Sequence, residues 1–302
     1  MEVFGVTFSP ERLQFIVMMV LLLAVLLYVR MLKKVRQKPK DQMITKTPDG
    51  EMSETELDRY ARHIVLRELG GAGQQRLRKA KVLVVGAGGL GSPVLQYLAA
   101  AGVGTIGVID DDHVSLSNLQ RQVLFDEEQL EMPKVFAAQV KLAALNPYIE
   151  IRPYNRRLDV ENASTLFTDY DLVLDGTDNF KTRALVNETC VATNTPLISG
   201  AISQWEGQIS LFNPAKGTPC YACIFPNEPT EGLAPSCAEA GVVGALPGII
   251  GSIMAAEAIK HITGAGQTLA GEMLIFDALY GESRKMQLQR DTGCKVCGSV
   301  DR

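Results

Sequence analysis

The sequence lacks a basic field: 30 lysines and arginines stand against 34 aspartates and glutamates, a formal net charge of -4. Bulk charge attraction to a nucleic acid is thereby excluded, and no nucleic-acid partner is expected. No internal repeat is present. Cysteine is scarce, with six residues at 190, 220, 223, 237, 294 and 297. Four of them fall in two CxxC pairs, which suits metal ligation better than a disulfide ladder and favours a reducing compartment. What is present is 302 residues, 46% of them hydrophobic, enough for one large α/β domain or two ordinary ones.

Fifteen uninterrupted apolar residues run from Phe15 to Val29, and the run extends over 13–32 if Gln14 and Arg30 sit near the interfaces. Twenty helical residues rise about 30 Å, the thickness of a bilayer core. Lys33, Lys34, Arg36, Lys38 and Lys40 follow with no acid before Asp41. The positive-inside rule then puts the remainder in the cytoplasm, as a single-pass protein of the inner membrane. A cleaved signal peptide, a buried soluble helix and a mis-assigned start codon are the competing explanations. The first fits poorly, because the start is acidic and basic residues occupy the cleavage region. A second apolar stretch, 241–259, carries Pro247, glycines and Glu257 and reads as a loop and buried helix. Residues 33–52 read as a linker, and Ser53 with Glu56 forms a capping box opening the next helix.

Lys81–Val85 is a β-branched run suited to a buried parallel strand, and it leads directly into Gly86-Ala-Gly88-Gly89-Leu-Gly91 and a helical stretch. Such glycines allow a tight turn, close approach of backbone N–H groups to phosphate, and close helix packing. A second strand ends at Asp110, where an acid normally holds ribose hydroxyls. That pattern alone suits an NAD-dependent oxidoreductase. The residues after it argue otherwise: Asp110–Gln122, then Lys134, then Asp175-Gly-Thr-Asp178-Asn179. Arg121 and Lys134 can neutralise phosphate oxygens, Asn118 can donate a hydrogen bond, and a strand-end aspartate can carry Mg²⁺. This is the chemistry of a triphosphate site.

Cys220-Tyr-Ala-Cys223 and Cys294-Lys-Val-Cys297 have the composition of a closed Cys₄ zinc site, a long-range staple; paired thiols or a redox disulfide are the alternative. Cys237, after the proline- and glycine-containing stretch 226–235, is a candidate sulfur-handling nucleophile, or else an inert loop cysteine. Cys190 reads as an ordinary core residue. Beyond Ile198, alternating runs at 205–212, 271–276 and 284–288 read as antiparallel strands extending the sheet. Trp205 is expected to pack at the core or edge, with contact to an extended carrier tail as the alternative.

Taken together, Arg59-Tyr60-Ala-Arg62, the glycine turn, Asp110–Gln122, Pro133-Lys134, Asp175–Asn179, the cysteine pairs and Glu257–Lys260 resemble the MoeB/ThiF/HesA family, bacterial relatives of ubiquitin-activating enzymes. The resemblance covers residue 53 onward. It implies a Rossmann-like parallel sheet with helices on both faces, extended by C-terminal antiparallel strands. Its nucleotide-binding half would span about 53–198, and a carrier-binding and zinc half about 199–302. It implies ATP adenylation of the C-terminal Gly-Gly carboxylate of a ubiquitin-like sulfur carrier, for molybdopterin or thiamine biosynthesis. Gly86, Gly88, Gly89, Gly91, Asp110, Asp112, Asn118, Arg121, Gln122, Lys134, Asp178 and Asn179 are then the nucleotide-binding set, with Asp178 on Mg²⁺. Arg62, Arg121, Lys134, Asp178 and Cys237 are the catalytic candidates, Arg62 reaching across a homodimer. With no rhodanese-like stretch in the sequence, a separate donor, a cysteine desulfurase or rhodanese, is expected to supply sulfur. A membrane-tethered scaffold without chemistry is the further alternative, disfavoured by the intact charged set.

Overall fold

The computed structural model describes residues 50–228 and 240–299, together with a few residues between 2 and 26. The chain divides into two units, Met1–Thr45 and Lys46–Arg302. In the first, two short strands, Glu2–Val3 and Val6–Thr7, pair antiparallel. Met18, Met19, Val25, Leu26 and 21–23 are helical and exposed. The rest of the expected anchor, most of the linker, and Cys237 lie outside the described residues.

The second unit opens with α1 (Glu54–Ile64), capped reciprocally as the sequence implies. Glu56 N donates to Ser53 Oγ at 3.3 Å and Ser53 N donates to Glu56 Oε2 at 3.0 Å. The other Glu56 oxygen accepts from Arg78 Nε at 3.1 Å, which ties α1 to α2 (Gly70–Lys79). Strands and helices then alternate: β1 (Lys81–Val85), α3 (Gly91–Ala101), β2 (Thr105–Asp110), α4 (Lys134–Leu145), β3 (Glu150–Asn155), α5 (Val160–Phe167), β4 (Leu172–Asp175), α6 (Phe180–Ala192) and β5 (Leu197–Ser203). After them come β6 (Glu206–Phe212), α7 (Tyr221–Ile224), α8 (Ala245–Thr263), β7 (Glu272–Asp277) and β8 (Glu282–Gln287).

The strands form one eight-stranded sheet in the order β8-β7-β6-β5-β4-β1-β2-β3. From β3 to β5 neighbours are parallel; from β5 to β8 they are antiparallel. The period-two rule explains why the parallel strands read as continuous apolar runs. Val82, Val84, Ile106, Val108, Leu172 and Leu174 join a core with residues of α2, α3, α4 and α8. Leu83, Val85, Ile109 and Val173 face the other way, into a core with α5, α6 and α7. Cys190 lies in that second core, its thiol pushed up mainly by burial, as a core residue should.

Helix α8 carries Pro247 in its first turn, where no intrahelical N–H bond is lost. Among the described residues it is the one helix long and apolar enough to cross a membrane. It instead packs on the sheet: Leu246, Ile250, Met254, Ala255 and Ala258 are at most 1% exposed. This matches the expected buried helix.

In register, Val85 pairs with Ile109 and with Asp175, and Asp110 with Asn155, so the ends of β1, β2, β3 and β4 share one edge. The chain leaves β1 toward β2 and β3, then crosses back to β4 on the other side. That reversal opens a crevice at the strand ends, the place where doubly wound sheets bind ligands.

Candidate active site

A cavity of about 470 Å³ occupies that crevice. Its wall is begun by the turn after β1. Gly86 has φ +91°, a left-handed conformation, and a Cβ on Gly91 would collide with the Gly86 carbonyl oxygen. Gly86, Gly88 and Gly89 line the cavity, whereas Gly91 lies behind the turn and lets helix α3 start close against it. A side chain on Gly89 would press on Pro247 at 3.2 Å, so the first turn of α8 closes this side.

Asp110, at the end of β2, accepts hydrogen bonds from Ala87 N at 2.7 Å and Asp112 N at 2.8 Å. Burial pushes its carboxyl above the ordinary carboxylate range, while Lys134 and the two N–H groups pull the other way. Lys134 is 3% exposed and donates to Asp112 Oδ2 at 2.8 Å. Arg121 donates to Asn118 Oδ1 at 2.6 Å and to Ser117 O at 3.2 Å. The cations thus hold polar partners on the pocket wall. Gln122 is 4% exposed, and its Oε1 has no hydrogen-bond partner. A buried acceptor without a partner among the described residues, at a cavity wall, is open to a donor from a ligand or a water.

Across the crevice, Asp175 is fully buried and accepts from Thr177 N at 3.0 Å, Thr177 Oγ1 at 2.7 Å and Ser199 Oγ at 3.1 Å. This knot turns the chain so that Asp178 reaches the cavity exposed, with no hydrogen bond or ion pair among the described residues. Asn179 caps α6, its Oδ1 accepting from Thr182 N at 2.9 Å. The sequence-expected residues Gly86, Gly88, Gly89, Asp110, Asp112, Asn118, Arg121, Gln122, Lys134, Asp178 and Asn179 therefore meet in one cavity. Arg62 does not: it is exposed near the end of α1 and absent from the cavity wall.

Sequence reasoning missed Arg156, Arg157, Thr182, Arg183 and Ile202, all of which line the same cavity. Arg183 donates to Thr177 O and so braces the turn before Asp178. Arg156 and Arg157 directly follow β3, and they reach the cavity because the fold sets that strand beside β2.

The four CxxC sulfurs gather away from this pocket, all within 4.8 Å of one another. Cys220 Sγ lies 3.9 Å from Cys223 Sγ and 3.7 Å from Cys294 Sγ, and Cys223 Sγ lies 3.4 Å from Cys297 Sγ. Those spacings are far beyond a disulfide bond and close to the ~3.8 Å edge that a tetrahedron with ~2.3 Å metal–sulfur bonds requires. Asn187 Nδ2 donates to Cys220 Sγ at 3.7 Å while its Oδ1 accepts from Tyr221 N at 2.9 Å. The cluster can hold one tetrahedral metal ion.

The family model described as ThiF family matches residues 60–296. The chain belongs to the ThiF family. Among curated proteins this ThiF-family chain is 51% identical over 247 residues to the sulfur carrier protein adenylyltransferase of Thermus thermophilus, covering 80% of this chain and 91% of that one. It is 47% identical over 258 residues to the probable adenylyltransferase/sulfurtransferase MoeZ of Mycobacterium tuberculosis, covering 84% of this chain and 66% of MoeZ. The chain thus spans about two thirds of MoeZ. Among solved structures, E. coli MccB with AMPCPP and MccA superposes with a TM-score of 0.70 at 26% identity, covering 80% of this chain and 74% of that one.

Proposed function

We propose that the chain adenylates the C-terminal carboxylate of a ubiquitin-like sulfur-carrier protein ending in Gly-Gly, with ATP as second substrate. The single observation carrying this is the composition of the crevice: a glycine turn and ribose-type acid on one wall, with Arg121, Lys134 and the exposed Asp178 facing the same space. A dinucleotide oxidoreductase has no use for that charged set. The names of the adenylyltransferase relatives support the same reading.

In this reading a terminal carboxylate oxygen attacks the α-phosphorus, the bond to the bridging oxygen breaks, and pyrophosphate leaves, yielding an acyl-adenylate. Arg121 and Lys134 neutralise phosphate oxygens, Asn118 and the backbone N–H groups of the glycine turn donate to them, and Asp110 orients the ribose. Asp178 is an exposed carboxylate at the cavity wall and fits magnesium, which when bound neutralises charge on the phosphates. Zinc at Cys220, Cys223, Cys294 and Cys297 is structural, since all four positions are protein sulfurs.

The wider assignment belongs to the same proposal. Two copies pair so that Arg62 serves the partner's nucleotide. Residues 13–32 anchor the chain to the inner membrane, with the catalytic unit in the cytoplasm. Cys237 takes part in sulfur handling, and a cysteine desulfurase or rhodanese supplies the sulfur for molybdopterin or thiamine biosynthesis. The test is ATP–pyrophosphate exchange by the full chain with purified carriers tried one at a time. Exchange that requires a carrier with an intact Gly-Gly terminus is expected; tight NAD binding without exchange refutes the reading.

A further inference from the structure

The order of strands divides the cavity. The glycine turn follows β1, Asp178 follows β4, Asp110 ends β2, and β3 lies on the far side of β2 from the glycine turn. A ribose held by Asp110 with its phosphates toward Gly86–Gly89 must send its base the other way, over the end of β3. Asp110 pairs with Asn155 in register, so the residues met there are Arg156, Arg157 and Leu158.

Leu158 is 8% exposed, belongs to the second core and offers an apolar floor. Its backbone neighbourhood is fixed, because Asn162 Nδ2 donates to Arg157 O at 3.0 Å and Asp159 caps α5. Arg156 has the same strand face as Tyr154, two residues earlier, and its guanidinium carbon lies 5.6 Å from the Tyr154 ring centroid. Tyr154 is held in turn by a 2.8 Å hydroxyl contact with Tyr170, which is 5% exposed. Arg156 is therefore a planar cation docked on one ring while also lining the cavity. It follows β3, which β2 separates from the glycine turn.

We infer that Arg156 is the base-stacking residue of this site: its guanidinium plane stacks on the purine, which lies between it and Leu158, with Tyr154 backing the guanidinium from behind. The inference deepens the adenylation reading and rests on it for the nucleotide. A guanidinium does this where an ammonium cannot, because only the former has a flat, weakly hydrated face. Tyr154 acts as a positioning residue through Arg156.

The experiment is calorimetric titration of the full chain in detergent with ATP, and separately with inorganic tripolyphosphate, which has no base. Arg156→Ala and Arg156→Lys are each expected to weaken ATP binding by about tenfold. The lysine variant should bind tripolyphosphate as the unaltered chain does. Two results overturn the inference while leaving the adenylation reading standing: full ATP affinity in Arg156→Lys, which would make the contact one of charge alone, or an equal loss for tripolyphosphate. An unaltered chain that binds no ATP overturns both.

Discussion

The nucleotide cavity and the cysteine cluster are built on opposite plans within one unit. In the cavity, charged groups hold provisional partners: Lys134 its neighbour Asp112, Arg121 the amide of Asn118, and Asp178 none among the described residues. In the cluster, four sulfurs face one another, with backbone N–H groups of the two CxxC turns and the Asn187 amide around them. Cys220 and Cys297 are fully buried. A site that must admit and release a charged molecule keeps its groups displaceable; a site that only joins distant parts of the chain closes itself. The cluster ties Cys294 and Cys297, after the last strand, to α6 through Val191. The cavity depends on the same α6 for the support that Arg183 gives the turn before Asp178.

If the contrast holds, the two sites should fail in different ways when altered. Asp178→Ala should cut carrier-dependent pyrophosphate exchange by at least about a hundredfold while thermal unfolding stays unchanged. Normal exchange in that variant would remove the metal role. Cys294→Ser should do the reverse, lowering stability by more than about 3 kcal/mol, roughly 10 °C for a unit of this size, with stoichiometric zinc lost by elemental analysis. Gly91→Ala should blur the contrast, because its Cβ collides with Gly86 O: a loss of about 1–3 kcal/mol in denaturant titrations together with weakened ATP binding.

The smallest effect is in pH. Asp110 is raised in the folded chain, chiefly by burial, so its share of stability is present in acid and declines as pH rises through the folded midpoint. ATP binding has the opposite trend, improving as the carboxylate forms, with a midpoint above the ordinary aspartate range. Lys134→Met removes an opposing charge and should move that midpoint higher still, read from affinity against pH.

The parts of the account that were legible in the sequence are those written in contiguous residues. The glycine turn, Asp110, the Asp175–Asn179 turn and both cysteine pairs carry their geometry in short spacing, and the alternation of 205–212 and 271–276 foretold the antiparallel extension realised in β6 and β7. What sequence spacing could not supply is adjacency between strands. Arg156 and Arg157 reach the cavity only because β3 lies beside β2, and Ile202 because β5 continues past β4. Arg183 escaped notice for a related reason: its contact is with the backbone of Thr177, invisible in a pattern of side chains. Arg62 marks the opposite case, a residue that a family likeness singles out but that its own chain's cavity does not include.

The central claim is that this crevice joins a protein's terminus to the α-phosphate of ATP. Incubating the full chain with MgATP and a carrier ending in Gly-Gly, then weighing the carrier by mass spectrometry, tests it most directly. A gain of one adenylyl group, absent from a carrier lacking its final glycine and absent with the Asp178→Ala variant, is the predicted result. A carrier of unchanged mass for every candidate, under conditions where the chain demonstrably binds ATP, would contradict it.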